Sequence, residues 1–83
     1  MFSVYILKSE ISGRYYVGYT SNLNQRLRNH NSGKNSSTKY GIPWKIVYSE
    51  ELKDKKSAWL REKQIKDYKG GEAFKKLVNG GVA

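Results

Sequence analysis

Two short runs within the first twenty residues set the terms for this fold. Phe2–Lys8 (FSVYILK) and Arg14–Thr20 (RYYVGYT) are rich in aromatic and β-branched residues, as strands are. Between them lies Ser9-Glu10-Ile11-Ser12-Gly13, which is turn chemistry, so the two runs read as a β-hairpin. With a loop of Ser9 to Ser12, Lys8 faces Gly13, Tyr5 faces Tyr16 and Ser3 faces Gly18. That register puts Tyr5, Tyr16 and Gly18 on one face and Val4, Ile6, Tyr15 and Val17 on the other. A slip of one residue would break the shared face, because side chains alternate with a period of two.

The remaining elements follow from caps and breakers. Asn22 has N-cap character, and Gln25 three places on completes a capping box. Leu23 and Leu27 then stack one turn apart, with Arg26 and His30 at the same spacing beside them. Asn31-Ser32-Gly33 ends this helix, and Lys34–Gly41 (KNSSTKYG) reads as a polar, flexible loop. Pro43 opens a third strand over Trp44–Leu52. Asp54 caps a second helix expected to run to about Lys69, where Gly70-Gly71 stops it. A short helix over Glu72–Val78 follows, before a loose end at Gly80-Gly81. The order β-β-α-β-α(-α) predicts an α+β fold, a small three-stranded antiparallel sheet flanked by helices. Eighty-three residues allow one core, so residues 1–79 are expected to form a single domain and 80–83 a flexible end.

Charge supplies the first functional constraint. Sixteen Lys and Arg against seven Asp and Glu leave +9, a field that attracts polyanions and nucleic acid first among them. Between Ile11 and Ser49 there is no acidic residue, while the same stretch holds Arg14, Arg26, Arg28, Lys34, Lys39 and Lys45. A solvated surface usually mixes signs, so this segment predicts an electropositive face. No cysteine is present, which removes disulfides and thiolate metal sites. The apolar stretch Phe2–Leu7 is too short for a membrane span, and the chain is expected to be cytoplasmic with no membrane partner.

Glu62 stands out in the second helix. It lies four residues after Ala58, three after Trp59 and three before Ile65, which are expected to mark the apolar side. Helical spacing therefore sets a carboxylate on or beside the buried face. Lys66 at i+4 offers the plain alternative of an exposed ion pair.

These residues resemble the GIY-YIG nuclease family. Its first motif is similar to Ser3-Val4-Tyr5 and its second to Tyr16-Val17-Gly18, with ten residues between the two tyrosines. Arg26 and His30 follow in the first helix and Glu62 in the second. The similarity spans about Phe2 to Lys69 and is strongest to small single-domain members, through Arg26–Lys34 (RLRNHNSGK) and Glu62–Lys66 (EKQIK). Ser3 stands where the family name has Gly, and Val4 and Val17 where it has Ile.

The resemblance implies hydrolysis of nucleic-acid phosphodiesters, with DNA the first expectation, dependent on one Mg²⁺ or Mn²⁺ ion. Glu62 would hold the metal, since Mg²⁺ keeps several waters and takes further ligands from the substrate. Arg26 would sit on the phosphate through its bidentate fork. Tyr16 is the first choice of general base with Tyr5 its partner, although a free phenol ionises only near pH 10 and needs a nearby cation to help. His30 is the other candidate base. Tyr15 reads as packing, and Tyr19 as a residue that orients water or phosphate. Specificity is expected from the basic face, from nucleic-acid structure or from a partner protein. The rival reading is a basic DNA- or RNA-binding module on the same fold without turnover, and Glu62 discriminates, because a carboxylate weakens phosphate contacts unless it holds a metal.

If about four of Arg14, Arg26, Arg28, Lys34, Lys39 and Lys45 touch duplex phosphates, log affinity falls with log salt at a slope near about −3.6. Fluorescence anisotropy across a salt series checks this, and a flat response would reduce the charge to a solubility device.

Overall fold

The strand β1 (Phe2–Ser9) runs through the middle of the molecule and organises everything around it. In the computed structural model, which describes residues 1–36 and 38–80, β1 pairs antiparallel with β2 (Tyr15–Thr20) on one side and β3 (Trp44–Leu52) on the other, giving the sheet order β2-β1-β3. Helix α1 (Leu23–Asn31) follows β2, a single 3₁₀ turn (Lys39–Gly41) precedes β3, and α2 (Lys55–Asp67) and α3 (Glu72–Gly80) close the chain. This is the expected α+β order.

Both faces of β1 are covered, so Val4, Tyr5, Ile6 and Leu7 are consecutively buried. Val4 and Ile6 point toward α2 and α3, into a core with Ala58, Ile65 and Phe74. Tyr5 and Leu7 point the other way, packing with Trp44, Leu23 and Leu27 beneath α1. A bulge between Ile6 and Leu7 leaves Val47 unpaired in β3, so Val47 and Tyr48 both join the α2 side while Ile46 joins the other.

The hairpin register differs from the expected one by two residues. Tyr5 faces Gly18, Leu7 faces Tyr16 and Ser3 faces Thr20. The physical reason is Ser9, which belongs to the strand and not the turn. Its backbone N–H donates to Arg14 O at 2.8 Å, and its hydroxyl accepts from the N–H groups of Ile11 and Ser12 at 3.2 and 3.0 Å. Gly13 takes the turn's left-handed position at φ +75°. The turn is thus Glu10–Gly13. A shift of two restores every side chain to its face, so Tyr5, Tyr16 and Gly18 still share one side.

The helix caps form largely as read. Asn22 Oδ1 accepts from Gln25 N at 3.1 Å, but the Asn22 N–H donates to Thr20 Oγ1 rather than to a reciprocal Gln25 side chain. Asp54 Oδ1 accepts from Ser57 N at 2.8 Å, and Lys69 and Gly70, both at positive φ, end α2's extension. Helix α3 runs to Gly80, and the rest of the expected loose end, 81–83, lies outside the described residues.

Two expectations need correction. Trp59 does not belong to the apolar side of α2. It is 43% exposed, and Lys63 Nζ sits 4.4 Å from its ring centroid, a cation–π contact at the surface. Ala58, Glu62 and Ile65 make the inward stripe instead. The segment after α1 is polar but its second half is pinned: Thr38 is buried, Trp44 Nε1 donates to Thr38 O at 2.8 Å, and Ser9 Oγ donates to Gly41 O at 2.6 Å. Asn31 at the end of α1 clamps the start of β3, accepting from Trp44 N at 2.6 Å and donating to Trp44 O at 3.1 Å. These bonds fix α1 against the sheet edge and carry His30 to the centre of one face.

Candidate active site

Tyr5 lies across Gly18, its strand partner. A Cβ at Gly18 would stand 2.6 Å from Tyr5 Oη, 2.9 Å from Tyr5 Cζ and 3.1 Å from the Tyr16 ring, so only glycine admits both rings. The two rings stack with centroids 6.3 Å apart and 29° between planes. Buried to 2% exposure, Tyr5 places its hydroxyl 3.1 Å from His30 Nε2. The Tyr16 ring lies 4.7 Å from the His30 ring. Tyr16 is only half-buried and offers the accessible phenol of the cluster.

His30 has no exposed surface. Its Nδ1 lies 2.8 Å from Thr38 Oγ1, and the Thr38 hydroxyl donates to Asn35 O at 3.4 Å. With that hydrogen committed, Nδ1–H donates to Thr38, and Nε2 accepts from the Tyr5 hydroxyl. The chain Tyr5–His30–Thr38–Asn35 therefore asks for a neutral imidazole. Burial and, secondly, the Arg26 guanidinium lower the His30 pKa, which favours the same form. Burial chiefly, then the neighbouring Tyr16, raise that of Tyr5 well above the usual phenol value; Arg26 opposes and Glu62 adds to the rise. Tyr5 keeps its proton.

Beside this cluster a cavity of about 400 Å³ opens, lined by Tyr5, Tyr16, Gly18, Arg26, Lys55 and Glu62, with Phe2, Tyr19, Thr20 and Ser21 completing the wall. The Glu62 side chain is 15% exposed, and its Oε2 lies 3.2 Å from Lys66 Nζ. The ion pair exists, yet the carboxylate is largely shielded and faces the cavity. Four of the five expected site residues thus line one hollow, and the fifth, His30, supports Tyr5 from behind.

The outlying cations divide. Lys34 shares a shallow hollow with Arg26. Arg14 shares another with Tyr16, Tyr40 and Trp44, and Lys39 Nζ stands 5.0 Å from the Tyr40 ring centroid. Arg28, two residues after Arg26, points round the helix from it, and exposed Lys45 lies on β3 opposite Lys8; neither lines these hollows. Tyr15 packs on Phe74 with ring centroids 5.1 Å apart, while Tyr19 packs on Phe2 at 6.4 Å and also lines the cavity. Lys55 escaped the sequence reading. Its signal was available, since it precedes Glu62 by seven residues and so shares its helical face.

The donor set suits one kind of cation. Among the described residues no group of three His, Cys, Asp or Glu comes together, so a soft or fully protein-caged metal does not fit. Glu62 is the one carboxylate lining the cavity, and it already attracts a cation in Lys66. A hard ion that keeps most of its waters, Mg²⁺ or Mn²⁺, fits that arrangement.

Comparison with known proteins agrees with the fold. The sequence model of the GIY-YIG catalytic domain matches residues 1–75. A UPF0213 protein of Staphylococcus epidermidis is 37% identical over 78 residues, 93% of this chain and 94% of the relative. One from Staphylococcus haemolyticus is 36% identical over 75 residues, 89% and 90% of the two chains. The solution NMR structure of a UPF0213 protein from Bacillus halodurans superimposes with a TM-score of 0.56 at 30% identity, covering 96% of this chain and 88% of that one.

The neutral His30 predicts a pH dependence of stability. A folded pKa below the ordinary 6.5 means the unfolded chain binds the extra proton first. The contribution is whole above about pH 6.5 and is lost as pH falls toward the depressed folded value. Urea midpoints between pH 7.5 and pH 5 should fall more steeply for the wild type than for His30→Gln. Parallel slopes would contradict the neutral imidazole.

Proposed function

The chain belongs to the GIY-YIG family, whose domains are endonucleases acting on nucleic acid, and we propose on that premise that it hydrolyses phosphodiester bonds, DNA first, with one Mg²⁺ or Mn²⁺ ion. The observation that carries this reading is the single hollow that gathers Tyr16, Arg26 and Glu62 against a buried Tyr5. A pure binding module gains nothing from a shielded carboxylate set among cations.

The residues divide the work by exposure. Glu62 would hold the metal. The bound ion would neutralise charge on the phosphate and acidify a water. Arg26, exposed at the mouth, spans two phosphate oxygens through its planar fork. Lys55, from α2, adds a second positive charge to the lining. As its phenolate, Tyr16 takes the proton from the attacking water as that oxygen bonds to phosphorus, and the bond to the sugar oxygen breaks, that oxygen taking a proton from solvent. Tyr5 and His30 do not serve as the base. Tyr5 is almost fully buried with its hydroxyl committed to His30 Nε2, and His30 meets no solvent. Their part is to fix the ring against which Tyr16 stacks.

Cleavage of labelled single-stranded, duplex and branched DNA, and of RNA, with and without Mg²⁺ or Mn²⁺, tests the reading. Glu62→Ala should abolish ion-dependent cleavage with the fold intact by circular dichroism. Tyr16→Phe should lower turnover by about 10²-fold or more, the usual scale for a lost general base. Cleavage that persists in excess chelator, or full activity in Glu62→Ala, overturns the metal role of Glu62, whereas binding without cleavage of any substrate leaves the non-catalytic binding module as the better account.

A further inference from the structure

A second hollow adjoins the first. It too encloses about 400 Å³, and it lies where the free edge of β2 meets the end of α2 and the start of α3. Tyr16 lines both hollows. So this residue, on the edge strand, belongs to the boundary of both spaces. Tyr15, Val17 and Phe74 give that space an aromatic and aliphatic lining, and Tyr15 remains 42% exposed despite packing on Phe74. Lys66 and Lys69, both exposed, stand at its sides. Lys66 also reaches Glu62, so it spans the step from one hollow to the next.

An apolar, ring-lined hollow flanked by two lysines matches one ligand chemistry closely. A nucleotide has a flat base that stacks on aromatic rings and an anionic phosphate that seeks cations. An acidic peptide would satisfy the lysines but not the rings. The hollow also adjoins the one where the proposed activity puts the reacting phosphate, through Tyr16 and the Lys66–Glu62 pair.

We propose that this hollow seats one unstacked base of the bound strand, the nucleotide next to the reacting phosphate, with its own phosphate between Lys66 and Lys69. The assignment rests on the nuclease reading for its ligand class and goes beyond it in naming a substrate feature. A base reaches the hollow only after leaving its stack, which is costly in a perfect duplex and least so where the nucleotide is already unpaired. The protein therefore favours nucleic acid with an unpaired nucleotide at that position.

Binding in chelator tests this without any chemistry. Three labelled duplexes suffice: one fully paired, one with a single-nucleotide bulge, and one with the same bulge made abasic. The wild type should bind the bulge with its base about tenfold more tightly than the abasic bulge, the scale of one base on an aromatic ring. Tyr15→Ala should erase that ratio and Tyr15→Phe should keep it. Lys69→Gln, at an exposed position with no core contact to lose, should weaken all three duplexes alike. Equal affinity for the intact and abasic bulges, or a ratio unchanged in Tyr15→Ala, overturns the proposal, as does an absence of binding to all three. Cleavage in Mg²⁺ is read separately. A preserved base preference without cleavage would defeat the nuclease reading and leave the base subsite standing.

Discussion

The packing of one phenol over one missing methyl group holds this molecule's functional face together. Tyr5 is central in the sheet, and its ring occupies the space that a side chain at Gly18 would fill. Because the ring lies there, its hydroxyl reaches His30 on α1. Because His30 accepts that bond, its other nitrogen reaches Thr38, and Thr38 in turn takes the Trp44 indole through its carbonyl. Four separate stretches of chain are tied to one buried ring. A buried polar chain of this kind costs little only while every member is satisfied, and among the described residues no buried side-chain polar atom lacks a partner.

That constraint explains how so small a domain builds a defined site. With one core on each side of a three-stranded sheet, there is little interior in which to hide a charged group. The solution is to bury the supporting pair, Tyr5 and His30, and to leave the other cavity-lining side chains at the edge. Tyr16 sits on the outer strand, Arg26 on the exposed flank of α1, and Glu62 on the inward stripe of α2, where Lys66 balances its charge.

Much of this was legible in the residues because it depends on local periodicity. The faces of the hairpin follow from a period of two, the Asn22 and Asp54 caps from side-chain chemistry, and the inward placement of Glu62 from its spacing to Ala58 and Ile65. What escaped notice depends on contacts distant in sequence. The register turned on the Ser9 hydroxyl, which binds inside the turn and also Gly41, 32 residues away. The stretch after α1 looked loose because nothing in its own composition reveals that Thr38 lies under His30. Trp59 looked like core because hydrophobicity outweighed the lysine one turn later. The second hollow was invisible since its walls come from β2, α2 and α3.

The central claim is that the gap at Gly18 seats the Tyr5 hydroxyl, and a double-mutant cycle measures it. Urea unfolding of the wild type, Gly18→Ala, Tyr5→Phe and the double variant gives the coupling between the two positions. A Cβ 2.6 Å from the hydroxyl oxygen must displace the ring, whereas a phenylalanine removes the nearest clashing atom. The account predicts that Gly18→Ala costs less in the Tyr5→Phe background than in the wild type, by about 0.5–3 kcal/mol as expected for residues in direct contact. Additive losses would mean that Gly18 and the Tyr5 hydroxyl act independently, and the site's organisation would have to be sought elsewhere.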